Sequence, residues 1–242
     1  MSELKSPTLE DEAKSANMTQ DDIVYAHIFD AILERRLPPS TKLNEEALGE
    51  IFSVSRTIIR RALLRLSHEQ VVVIRPNRGA VVASPSIDEA KQVFIARHTL
   101  EAAITRLATE RASKPELAKL RALIKLENEA TRLGDSGKAI RLSGEFHLKL
   151  AEVSGNVPLF NFQRSLVSLT SLIIAQYEVG NSAQCVLDEH SKLIDAIEAK
   201  DADKACELMK DHLDHIESKL NMGGETASSD LHVVFSSVLN NK

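Results

Sequence analysis

Residues 44–82 read "NEEALGEIFSVSRTIIRRALLRLSHEQVVVIRPNRGAVV", and this stretch decides the fold. Asn44 is a good N-cap for a short helix that runs into the turn "SVS". Ser55 is the expected N-cap of the next helix, in which Ile58, Ile59, Ala62, Leu63 and Leu66 share one face. Arg56, Thr57, Arg60 and Arg61 fall on the other face, near its start. Two β-branched runs follow, joined by "RPNRG", the signature of a hairpin. Upstream, "DDIVYAHIFDAILERRL" (21–37) is an amphipathic helix opened by acids and stopped by Pro38-Pro39. Three helices and a hairpin make a winged helix-turn-helix over 21–84, behind a polar arm at 1–20.

Charge supports that reading. The 242-residue chain carries a net charge of −5, yet residues 54–78 hold six arginines against Glu69 alone. A basic patch on an acidic chain attracts a polyanion to one face while limiting unspecific adhesion. Arg56, Arg60 and Arg61 are placed to enter a major groove, where guanidinium forks bind guanine edges or phosphates and Thr57 offers a hydroxyl or a methyl. In the wing, Asn77 and Arg78 stand beside Gly79, whose backbone can approach a phosphate closely.

From Ser86 to about residue 222 the pattern is helical throughout, beginning with the capping box "SIDE". Helices are expected at about 86–112, 115–133, 137–153, 157–178, 183–199 and 202–221. Six helices of this length with short connections form an antiparallel bundle. The expected fold is therefore mainly α, a winged domain followed by a bundle at 85–222 and a loose tail at 223–242. Cys185 and Cys206 lie far apart without metal spacing, as suits a reducing compartment. The apolar run "LVSLTSLIIAQY" (166–177) is too short to span a bilayer, and the polar N-terminus lacks a signal-peptide core, which points to the cytoplasm.

Polar residues interrupt the bundle's apolar stripes. His147, His190 and His212 occupy inner faces of three different helices. Converging, they would bind a divalent metal; kept apart, each is a separately satisfied core histidine. Arg97 is a candidate carboxylate anchor, or the internal partner of Glu101 four residues on. Asn156 is placed to cap the helix that begins beside Pro158.

Residues 21–84 resemble the N-terminal domain of the GntR family of bacterial transcription regulators, through "L-N-E-E-A-L-G", "V-S-R-T" and the "R-G" wing. The resemblance implies operator contacts from Ser55, Arg56, Thr57, Arg60 and Gly79. Ser40 stands where that family commonly has a turn glycine. Arg61 replaces a common glutamate, and Glu46 stands where some relatives use an arginine on DNA. Residues 86–221 resemble the FCD effector domain of the FadR subgroup through "RHTLE" (97–101), "EFH" (145–147), "SGN" (154–156), "EHSKLIDAI" (189–197) and His212. Six helices resemble its VanR-like branch. The resemblance implies a Zn or Ni site on His147, His190 and His212, with Ser143 in place of the usual aspartate ligand. It also implies a small organic-acid effector, with Arg97, Ser143 and Asn156 as candidate contacts, a homodimer and a palindromic operator. Two rivals are a constitutive dimeric DNA-binding protein with a purely structural bundle, and a metal-dependent hydrolase.

Overall fold

A computed structural model describes residues 19–75, 78–178 and 188–222. Most of the arm at 1–20, Asn77, Cys185, the expected helical start at 183–187 and the tail at 223–242 lie outside the described residues.

In the N-terminal unit, α1 (Gln20–Leu33) opens on a capping box between Thr19 and Asp22. It ends four residues earlier than the sequence suggested. A helical Glu34 carbonyl would meet the Pro38 ring, so the chain leaves the helix at Glu34 and turns through Arg35 at φ 60°. Next come β1 (Lys42–Leu43), α2 (Glu45–Phe52) and α3 (Arg56–His68). The hairpin is β2 (Val72–Arg75) and β3 (Gly79–Val82), but it is not alone. β1 pairs with β3, giving the order β1-β3-β2. A two-residue strand is too short for a periodic signal; its ladder and the burial of Leu43 define it.

Ser40 occupies the turn before β1 at φ 67°, where an L-side chain is strained. Ser40→Gly should therefore stabilise the protein by about 1 kcal/mol. Urea denaturation would read this as a higher midpoint at unchanged slope.

The bundle comprises α4 (Ile87–Arg111), α5 (Lys114–Arg132), α6 (Ser136–Val153), α7 (Val157–Tyr177), α8 (Glu189–Glu198) and α9 (Ala202–Ser218). The Ser86–Glu89 capping box starts α4 as the sequence implied. The stretch around "LVSLTSLIIAQY" does not stop short of membrane-spanning length. It belongs to a helix of 21 residues that is long and apolar enough to cross a bilayer by length and composition. Here its Val167, Leu169, Leu172 and Ile173 are buried in protein, which accounts for the composition.

The two units share packing. Leu172 of α7 joins the apolar cluster built by α1, α3 and the sheet. Around it, Arg164 donates to the Tyr25 hydroxyl (2.6 Å), which itself donates to Glu69 (2.8 Å). Glu34 accepts from Arg141 on α6 at 3.0 Å. Gly137, in the first turn of α6, admits the Glu34 backbone so closely that a Cβ there would sit 2.7 Å from its carbonyl oxygen.

Candidate functional site

The face of α3 that packs inward is Ile59, Ala62, Leu63 and Leu66, all buried. Ser55, Arg56, Thr57, Arg60 and Arg61 are exposed at its opening. Ser55 is the N-cap, but its hydroxyl makes no capping bond to the helix. The exposed arginines rest on acids: Arg56 on Glu46 (2.7 Å), Arg60 on Glu45 (2.7 Å), and Arg61 at 3.9 Å from Asp21. Exposed pairs of this kind contribute at most about 1 kcal/mol, so a polyanion can displace them. Glu46, where some relatives use a DNA-contacting arginine, instead holds Arg56. Arg65 differs: it donates to Asp22 at 2.6 Å and lies 4.3 Å above the Tyr25 ring, which makes it part of the scaffold. In the wing, the Arg78 backbone N–H closes the turn on the Arg75 carbonyl at 3.0 Å. Gly79 takes φ 77° with nothing within 4 Å of a would-be Cβ, so its backbone is open to an incoming phosphate.

In the bundle, His147 (α6), His190 (α8) and His212 (α9) do converge. Their side chains are at most 3% exposed. His212 Nε2 lies 3.2 Å from His147 Nε2 and 3.3 Å from His190 Nε2. Each Nδ1 is held by its own carboxylate: His147 by Glu101 (2.6 Å), His190 by Glu127 (2.8 Å) and His212 by Glu189 (2.7 Å). A carboxylate accepts, so Nδ1 carries the proton and the three Nε2 lone pairs face one another. Burial lowers the His147 pKa, and burial with the His190 field pushes that of His212 down to about 3. Burial pulls the Glu101 pKa upward, but the adjacent Arg97 guanidinium and His147 outweigh it and keep the carboxylate ionised.

Three neutral acceptors crowded together, each backed by an acid, are satisfied by a cation. His212 Nε2 is close enough to each of the other two Nε2 atoms, at 3.2 and 3.3 Å, for one ion to be shared at the usual metal–nitrogen distance of about 2.1 Å. The residues therefore fit a divalent metal such as zinc or nickel. His147, His190 and His212 would hold it, and it would supply a Lewis-acidic position for an anionic ligand.

His147 and His212 also line a cavity of about 170 Å³ between α6 and α7. Ser143, one turn before His147, is on its wall, as are Arg97, Thr170 and Ser171. Arg97 is committed to the internal pair that the sequence left open, donating from Nε (2.8 Å) and from its terminal nitrogen (2.5 Å) to Glu101. It lines the pocket but is already gripping a carboxylate. Asn156 is not among the lining residues; its side chain accepts from the Leu159 N–H at 3.2 Å and caps α7. Sequence reading missed the part played by Glu127 and Glu189. A signal existed for the first, since Glu127 continues the buried stripe of Leu120 and Ile124, where an acid needs a partner.

Fold and site together define a transcription regulator with a DNA-binding winged helix and a ligand-sensing helical domain. Residues 20–82 match the family model for bacterial regulatory proteins of the gntR family, and residues 92–215 match that of the FCD domain. The chain belongs to the GntR family, in its FCD-bearing group. It is 28% identical over 194 residues to the Uxu operon regulator of Haemophilus influenzae, covering 73% of this chain and 72% of that one. It is also 28% identical over 197 residues to the transcriptional repressor NanR of Cronobacter sakazakii, covering 72% and 74%. The fold matches that of E. coli McbR/YncC at a TM-score of 0.72 and 20% identity, across 83% of this chain and 98% of that one. A GntR regulator from Rhodococcus sp. RHA1 gives a TM-score of 0.72 at 21% identity, across 86% and 100%. These relatives are regulators and not enzymes, which removes the hydrolase reading.

Proposed function

We propose that the protein is a cytoplasmic, homodimeric repressor whose affinity for a palindromic operator is set by a small carboxylate bound beside a metal on His147, His190 and His212. The observation that carries this reading is the cavity that reaches two members, His147 and His212, of a cluster of three carboxylate-backed imidazoles. A purely structural bundle has no need of converging Nε2 lone pairs, which cost stability when unsatisfied. Operator contacts are assigned to Ser55, Arg56, Thr57, Arg60, Arg61, Asn77, Arg78 and Gly79. Two-fold symmetry of the dimer would be mirrored in the operator. The acid acts only through its different affinity for the two placements of the winged domains.

Selection of binding sites from a random duplex pool, followed by titration with organic acids in the presence of zinc or nickel, tests this reading. A palindromic consensus whose affinity shifts at least tenfold with one acid is the expected result. A consensus that no acid affects would establish the constitutive alternative.

A further inference from the structure

The cavity has a second end. On α6 its wall runs from Ser136 to His147, about 16 Å at the helical rise per residue. α7 runs antiparallel beside it, with Val167 against Gly144 near the histidines and Glu178 at the far end. Besides Lys219 and Leu220, which follow α9, this end is lined by Arg35, from the turn after α1 and so from the DNA-binding unit.

Arg35 donates to Glu178 at 2.8 Å, while its Nε is buried with no hydrogen-bond partner among the described residues. A guanidinium that offers one edge to a carboxylate and leaves Nε unused is half of a fork. The residue before it is held at the seam, since Glu34 abuts Gly137 and accepts from Arg141, which couples the position of Arg35 to that of α1 against α6.

We infer that Arg35 is a ligand-binding residue for the distal carboxylate of a diacid effector, whose other carboxylate sits at the histidine end. This rests on the effector reading above and adds its ligand class and its route to DNA. The distal carboxylate takes Arg35 from Glu178 and also occupies Nε. The ligand then spans both units and fixes the DNA-binding unit on the bundle. A monoacid of the same length brings no second carboxylate to that end, so Arg35 stays on Glu178 and α1 is left untouched.

The test is calorimetric titration of the full chain, with zinc supplied, against adipate, suberate and sebacate, whose carboxylates reach progressively further along the cavity, and the monoacids of equal length. One diacid should bind about 10- to 100-fold more tightly than its monoacid, the range for a charge-assisted fork. Arg35→Gln should erase that ratio and leave monoacid affinity unchanged, which also reports that the variant is folded. Glu178→Gln, which removes the internal competitor, should tighten the diacid several-fold, the opposite sign from a merely structural role. Hydrogen exchange in residues 20–37 should slow with the diacid in the native protein and not in Arg35→Gln. A diacid preference that survives Arg35→Gln, or monoacids binding as well as diacids, overturns the inference and leaves the effector reading standing. Failure of every acid to bind overturns both.

Discussion

Removing divalent metal from the protein is expected to lower its melting temperature by about 10 °C. An ion present at a thousand times its dissociation constant stabilises a fold by about 4 kcal/mol, and a chain of this size shifts about 2–4 °C per kcal/mol. The three imidazoles come from α6, α8 and α9, so one ion would tie α6 to the pair α8 and α9, which the Glu189–His212 bond already joins. Calorimetry with elemental analysis, on native protein and on His190→Ala, checks it: the native protein should lose both metal and stability on chelation, and the variant should have neither to lose. Equal melting temperatures for the native protein before and after chelation would refute it.

The metal-free form carries a pH signature of its own. His147 and His212 are held neutral by burial, with folded pKa values below the unfolded value near 6.5. Protons then favour the unfolded chain as pH falls below 6.5, and for His212 this continues to about pH 3. His212 thereby costs about 1.4 kcal/mol of stability per pH unit in that window, and His147 adds in the same direction. The contribution is fully present above pH 6.5. Chelated protein should thus lose stability steeply from pH 6.5 to pH 5.

The second large effect lies on α3. Arg56→Ala with Arg60→Ala should weaken binding to a selected operator by about 100-fold or more, since each groove contact is worth about 1–3 kcal/mol. The dependence of affinity on salt should flatten at the same time, because fewer counterions are released. Glu46→Gln should act the other way and tighten binding several-fold, since it frees Arg56 from its exposed 2.7 Å partner. Fluorescence anisotropy across a salt series separates these outcomes. Unchanged affinity in the double variant would take α3 out of the operator interface.

Much of this was legible in the sequence because it is local. The cap at Asn44, the Ser86–Glu89 box and the inward face of α3 each depend on residues within a turn or two. The three histidines stood out because each broke an apolar stripe. What escaped was set by partners distant in the chain. Glu127 interrupts a buried stripe and so needs a partner, but nothing local says that the partner is His190, 63 residues later and 2.8 Å away. β1 exists only because β3 lies beside it. The early end of α1 could have been read from the Pro38 ring, but the use made of the freed Glu34 carbonyl, against Gly137, could not. Arg97 shows the limit from the other side, since spacing allowed both an internal pair and a ligand contact and only burial beside Glu101 chose the first.

The missing side chain at Gly137 also bears on engineering. A chimaera that grafts another winged helix onto this sensor must reproduce the seam at its narrowest point. Glu34, Arg35 and Gly137 would have to travel as a set, however different the DNA-reading surface above them. Exchanges that respect this triplet should yield sensors with new operators, whereas those that add a β-carbon at 137 should give two well-folded halves that no longer communicate.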